Sequence, residues 1–181
     1  SEKLKSEGPL LITHWGLSGP AILKLSAWGA ISLFKKNYQF EIKVNWIDTD
    51  KDIALEWIEE QIQSNGKRQL KNLQHSALSK RLWNYLVESS SIQGSKLLYE
   101  LNKKDIESLL TVLTSHKLQV NGRTRFKEEF VTCGGVNLRE IDFKRFEHKR
   151  FPGLYFAGEV LNIDAVTGGF NFQNAWTGAW M

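Results

Sequence analysis

Apolar positions recur along this chain first at the spacing of a strand and then at that of a helix, and the switch between the two divides it. Gly8 to Thr13 is a short apolar run, and Trp15-Gly16-Leu17-Ser18-Gly19-Pro20 reads as a turn into a helix. Ser18 suits an N-cap and Pro20 a first turn, with Ala21, Ile22, Leu25 and Ala27 or Trp28 apolar over about two turns. From Tyr38 to Trp46 the pattern alternates: Phe40, Ile42, Val44 and Trp46 fall on one face, Glu41, Lys43 and Asn45 on the other. That is the mark of a half-buried strand.

The period then changes. Thr49 with Asp52 resembles a capping box and opens a helix through Ile53, Leu55, Trp57, Ile58 and Ile62 that ends near Gly66. A second helix spans Ser79 to Ser89 with Leu82, Trp83, Leu86 and Val87 inward, and a third follows Asn102 as N-cap, burying Ile106, Leu109, Leu110 and Leu113. Residues 50–114 thus form a helical module, with Gln74 to Ser95 as its loosest stretch. Lys117 to Asn121 and Glu128 to Thr132 read as returning strands around an Asn121-Gly122 turn. Leu154 to Ala157 reads as a buried strand that delivers Glu159 at its end, before a glycine turn at Thr167 to Asn171 and a helix start. α/β sheets bind cofactors with that arrangement.

Composition narrows the class. The chain has 181 residues, 41% of them hydrophobic, enough for one good core or two small ones. No apolar run reaches the roughly 18 residues that span a bilayer, and no signal-peptide pattern opens the chain, so no membrane partner is expected. The one cysteine, Cys133, excludes an internal disulfide framework and fits a reducing, cytoplasmic compartment. The net charge of +4 gathers at Lys67, Arg68, Lys71, Lys80, Arg81, Lys96, Lys103 and Lys104, after an acidic run from Asp48 to Glu60. Neighbouring acidic and basic faces solvate or pair with each other, and no zinc-finger or RNP-like pattern accompanies the charge, so no nucleic-acid partner is expected. A basic-surface, non-catalytic interaction or nucleic-acid-binding domain is the alternative reading.

From Phe151 to Met181 there are seven aromatics, two acids and no lysine or arginine. Long charged side chains populate exposed faces, so such a segment reads as core or as the wall of a site. The string GLYFAGEVLNIDAVTGGFNFQNAWTGAW resembles the C-terminal flavin-binding segment of the flavoprotein family that includes BaiN-like and aminoacetone-oxidase-like proteins, described as HI0933-like. Leu11-Ile12-Thr13-His14-Trp15-Gly16-Leu17-Ser18-Gly19-Pro20-Ala21 is similar to the family's THxGxSGPA block, and Val131-Thr132-Cys133-Gly134-Gly135-Val136 to its VTxGGV block. The three blocks keep the family's order and spacing over nearly the whole chain.

The resemblance implies an α+β piece of an FAD/NAD(P)-binding flavoprotein. Its parts would be a β-rich segment at 1–49 belonging to a β-barrel-like domain, a helical insert at 50–115, return strands at 116–130, and the C-terminal part of the FAD-binding domain at 131–181. Since no two glycines lie two positions apart, the G-x-G-x-x-G fingerprint of such proteins is absent. The expectation is a C-terminal fragment of an FAD-dependent oxidoreductase, inactive alone, whose partners are the missing N-terminal half and a small-molecule substrate, with NAD(P)H as hydride source.

Candidate chemistry follows from residue type. Thr167, Gly168, Gly169, Phe170 and Asn171 are the leading flavin contacts, because glycines admit close approach to a planar ring and helix-start amides stabilise negative charge. Gly134, Gly135 and Gly158 join them as cofactor-binding positions. In related flavoproteins an acid at the position of Glu159 accepts hydrogen bonds from ribityl hydroxyls. Asp164 and Gln173 are further cofactor candidates. His14, in a glycine-bounded block, is the candidate proton donor, with fixing the turn as its other reading. Cys133, without a partner thiol, reads as packed, the scattered tryptophans read as core, and the histidines and Cys133 show no metal-ligand spacing.

Overall fold

Gly19 fixes where the first helix starts. Its φ is +96°, and a Cβ there would lie 2.9 Å from the Pro9 carbonyl oxygen and 3.0 Å from the Leu11 nitrogen, so only glycine admits this backbone crossing. The structure, a computed structural model, describes residues 4–124, 132–165 and 169–180. Strands β1 (Leu11–Thr13) and β2 (Gly16–Ser18) form an antiparallel hairpin, whose turn is held by the Thr13 hydroxyl: it donates to Gly16 O at 2.9 Å and accepts from Gly16 N–H at 3.1 Å. Ser18, expected as a cap, is therefore a strand residue, and Gly19 takes the N-cap position with no side-chain bond. Helix α1 (Pro20–Lys35) runs for 16 residues, well past the two turns read from the sequence. It stops where Asn37 and Tyr38 turn left-handed, at φ 51° and 55°.

Among the described residues the elements are five α-helices and three two-stranded sheets, an α+β set. They form two compact units: Phe40–Val120, and Ser1–Gln39 with Asn121–Met181.

The Phe40–Val120 unit combines a strand pair with helices. Strand β3 (Gln39–Val44) alternates as its sequence predicts, Phe40, Ile42 and Val44 being the less exposed set. Helix α2 (Lys51–Asn65) is capped by Asp50, whose carboxylate accepts from the amides of Asp52 at 3.1 Å and Ile53 at 3.0 Å. The cap thus lies one residue beyond Thr49, and the buried stripe runs through Ala54 and Ile58, leaving Ile53 exposed. Helix α3 (Lys80–Ser89) starts at Ser79 as expected. Helix α4 (Lys103–Ser115) starts at Asn102, in a reciprocal capping box with Asp105. Lys96 bonds to the Asp105 carboxylate at 2.6 Å and holds its pKa below the ordinary carboxylate value. Strand β4 (His116–Asn121) pairs with β3; the expected strand at Glu128 to Thr132 falls, but for Thr132, outside the described residues.

Trp83 is the centre of this unit. It is wholly buried, as are Ile58, Leu70, Leu86, Leu98, Leu109 and Leu113, and its indole N–H donates to Leu70 O at 2.9 Å. Gln74 to Ser95, read as loose, contributes Leu78, Trp83, Leu86, Val87, Ser90 and Ile92 to the buried set. Within it Ser90 buries its hydroxyl on the Val87 carbonyl at 2.7 Å, and the Ser90 carbonyl accepts from Ser108 at 2.7 Å.

In the C-terminal part, β5 (Ile141–Asp142) and β6 (Glu147–His148) pair antiparallel over a small core of Ile141, Phe146 and Leu161. Leu154 to Ala157, expected as a buried strand, is an extended segment instead. Among the described residues it bonds on one side only, through Phe156 N–H to Phe146 O and His148 N–H to Leu154 O, and its Leu154 and Tyr155 are exposed. Helix α5 (Phe170–Trp180) seats Gly178 against the Phe146 ring, which a Cβ would meet at 2.9 Å. Of this segment's aromatics, read as core or as the wall of a site, Phe170, Phe172, Trp176 and Trp180 are exposed, Trp180 at 91%. Trp15 and Trp28 are exposed as well.

Candidate functional site

The second and third sequence blocks meet through backbone bonds. Val136 N–H donates to Val160 O at 2.9 Å, Asn162 N–H donates to Val136 O at 3.1 Å, and Val136 bridges Leu161 in parallel. Gly135 makes the meeting possible. At its φ of +135°, a Cβ would stand 2.5 Å from Val160 O and 2.8 Å from Asn162 N. Gly134, Gly158 and Gly169 also have positive φ, of +111°, +82° and +99°, but open space lies where their side chains would be. Those three glycines leave room where a side chain would stand, whereas Gly135 closes two segments on each other.

Glu159 lies in a 3-10 turn at Gly158–Val160 rather than at a strand end, and the side chain is exposed, without an ion pair or hydrogen bond among the described residues. Helix α5 packs against this turn. Its Asn171 is occupied: Oδ1 accepts from Ala165 N–H at 2.7 Å and Nδ2 donates to Ala165 O at 3.3 Å. That pair of bonds pins the helix start to the end of the preceding loop. Gln173 N–H donates to Gly169 O at 2.9 Å, and its amide nitrogen donates weakly to Thr177 Oγ1 at 3.4 Å. Phe170 is exposed beside them. Thr167 and Gly168 lie outside the described residues.

Asp164 accepts a hydrogen bond from the Cys133 thiol, which with partial burial pushes the thiol pKa up. A raised pKa leaves less thiolate at a given pH, so Cys133 is a poor nucleophile. Asp164→Asn removes that carboxylate, and alkylation of Cys133 by iodoacetamide at about pH 8 should then speed up several-fold. An unchanged rate would show that the pair does not govern the thiol.

His14 occupies the turn between β1 and β2. Its one side-chain interaction among the described residues is with the ring of Trp15, at 3.7 Å between centroids. No bond joins it to Gly158, Glu159 or the α5 start. Among the described residues no group of three His, Cys, Asp or Glu is placed to hold a metal, and no helix is long and apolar enough to cross a membrane. What sequence reasoning missed is Ala165, the anchor of Asn171. It acts through its backbone, and its residue type carried no signal.

The site so assembled offers room beside three glycines, a free carboxylate and a pinned helix start. Comparison with known proteins adds their context. The chain is 36% identical over 172 residues to the ribosomal RNA dihydrouridine synthase of Escherichia coli, covering 94% of this chain and 40% of that protein. It is 32% identical over 175 residues to the protein of the same name from Haemophilus influenzae, with the same coverage. Against the 3-dehydro-bile acid delta(4,6)-reductase of Clostridium scindens it is 24% identical over 170 residues, covering 93% of this chain and 41% of that enzyme. The chain therefore spans about two fifths of these relatives' length. Residues 1–131 match the model described as HI0933-like protein barrel and H2TH domain, and the chain belongs to the HI0933-like family.

Proposed function

We propose that this chain is part of an FAD-dependent reductase that saturates a carbon–carbon double bond conjugated to a carbonyl, with a uracil base of ribosomal RNA as substrate. The observation that carries the reading is the pair of relatives' names. Dihydrouridine is uridine with its C5=C6 bond saturated, a bond conjugated to the C4 carbonyl; a delta(4,6)-reductase of a 3-dehydro steroid saturates double bonds conjugated to a 3-ketone. In both cases the π bond breaks, the carbon remote from the carbonyl takes a hydride, and the carbon beside it takes a proton.

The residues present fit the group. Open space over Gly134, Gly158 and Gly169 admits a planar ring to the backbone, and Glu159 has a carboxylate free to accept from vicinal hydroxyls. FAD, when bound, supplies the hydride at N5, replenished from NAD(P)H. The chain's part is to position: amides at the α5 start hold negative charge, and Asn171 keeps that start fixed on Ala165. His14 is the proposed proton donor to the substrate carbon.

The test uses the intact protein that carries this chain, purified with its flavin, and ribosomal RNA from cells lacking it. With NAD(P)H, mass spectrometry should find a uridine heavier by about 2 Da, the mass of the two hydrogens added. Protein that is yellow and reduces an enone steroid, yet leaves the RNA unchanged, would overturn the substrate assignment.

A further inference from the structure

The Phe40–Val120 unit carries a basic surface that its own acids do not neutralise. The segment from Gly66 to Lys71 lies antiparallel to that from Gly94 to Tyr99. Tyr99 N–H donates to Gly66 O at 3.0 Å, Leu98 N–H to Arg68 O at 3.0 Å, Leu70 N–H to Lys96 O at 2.9 Å and Lys71 N–H to Gly94 O at 2.8 Å. Leu70 and Leu98, wholly buried, fasten both segments to the core. Lys80 reaches over from the first turn of α3 to donate to the Lys71 carbonyl, which brings Lys80 and Arg81 beside the same segment. Lys67, Arg68, Lys71, Lys80 and Arg81 are all exposed.

The sequence reading expects these cations to pair with the neighbouring acids or stand in water. Among the described residues they make no ion pair, although Asp52, Glu56, Glu59 and Glu60 lie on α2 of the same unit. The unit's ion pairs are Lys51 with Glu107, Lys96 with Asp105, and Lys117 with Glu41. Lys80 and Arg81 also occupy the first turn of α3, which holds no acid. Cations there oppose the helix dipole, so an external anion would relieve both the mutual repulsion and the dipole conflict. Tyr99, 58% exposed next to Gly66, adds a flat ring beside the charges. Lysine and arginine for phosphates with an aromatic for a base is the equipment for single-stranded RNA, and the patch lacks the apolar cluster that a lipid surface would need.

We infer that Arg68, Lys71, Lys80 and Arg81, with Tyr99, hold the backbone and an unstacked base of an RNA strand, so that this unit is the substrate-holding module of the enzyme. The inference rests on the reading of ribosomal RNA as substrate, and departs from the expectation of no nucleic-acid partner.

The probe is a fluorescein-labelled single-stranded oligouridylate, titrated with the intact protein and followed by anisotropy at salt from about 50 to about 200 mM. Each phosphate contact contributes about −0.7 to the slope of log affinity against log salt, so four contacts should give roughly −3. Arg68→Glu with Lys71→Glu should weaken binding about tenfold or more and flatten the slope by about 1.4. Lys35→Glu with Lys36→Glu, the same charge change outside the Phe40–Val120 unit, is the control and should stay within about twofold, since a charge that contacts no phosphate acts only through the screened field. Circular dichroism and flavin content should be unchanged in both. Equal weakening in the two pairs, or none in the first with its fold intact, would overturn the surface; if RNA is still reduced, the substrate reading survives that loss. Wild-type protein that neither binds the oligonucleotide nor reduces ribosomal RNA would overturn both.

Discussion

Trp83→Ala is expected to unfold the Phe40–Val120 unit at temperatures where the wild type is intact. The side chain is wholly buried, and removing so large a group from a packed core costs about 3–5 kcal/mol through lost transfer energy and the cavity left behind. The change also strips the Leu70 carbonyl of its indole partner at 2.9 Å, which adds about 1 kcal/mol or more if no water replaces it. Against a total of about 5–15 kcal/mol for a domain, that loss is a large share. The thermal midpoint should fall by about 15 °C or more. Trp83→Phe keeps most of the buried area and loses the hydrogen bond, so it should fall between the two, while Trp28→Ala, at an exposed position on α1, should move the midpoint little. Thermal unfolding followed by circular dichroism ranks the three. A Trp83→Ala midpoint within a few degrees of wild type would show that the core does not depend on this side chain.

Why this core was legible while the site was only partly so comes down to the range of the interactions that make each. The helices of residues 50–114 announce themselves locally: Ser79 and Asn102 cap within three residues, and the 3.6-residue period places Trp83, Leu86, Leu109 and Leu113 inward from neighbours on the same helix. The single-residue error at Thr49 arose because Thr and Asp both cap, and only the backbone shows that the Asp50 carboxylate meets the free amides. The β1–β2 hairpin was hidden because three-residue strands have too few positions to alternate, and because Gly19 answers to Pro9, a constraint in space. Absence of lysine and arginine after Phe151 reads as core or as the wall of a site, and the exposure of Trp176 and Trp180 excludes core for those two. Composition reports which residues avoid charge and says nothing of what covers them. In the site, residues 134–136 meet 160–162 through backbone bonds across 24 or more positions, and the Asn171 side-chain amide anchors on the Ala165 backbone across 6. The family resemblance marked the glycines without distinguishing Gly135, which closes segments, from Gly134, Gly158 and Gly169, which leave room where a side chain would stand.

That distinction carries the second large effect. Gly135→Ala should empty the proposed flavin site in the intact protein, although it adds a single methyl group. The methyl carbon would fall 2.5 Å from Val160 O, 2.7 Å from Leu161 C and 2.8 Å from Asn162 N, all of them backbone atoms that no rotamer change can move aside. At φ +135° the residue is strained as well, a conformation that costs about 1–3 kcal/mol outside glycine. The two segments must separate, which breaks the bonds between Val136 and residues 160 and 162 and carries Gly158 and Glu159 away from Gly134. Gly153→Ala is the control: it has the same kind of strain, at φ +86°, but open space for the methyl, so it should cost about 1–2 kcal/mol and keep its flavin. Flavin absorbance per folded protein, read beside the thermal midpoint, separates the cases. Gly135→Ala should lose most of its flavin, whereas equal flavin content in the two variants would mean that the junction of residues 134–136 with 158–164 does not shape the site.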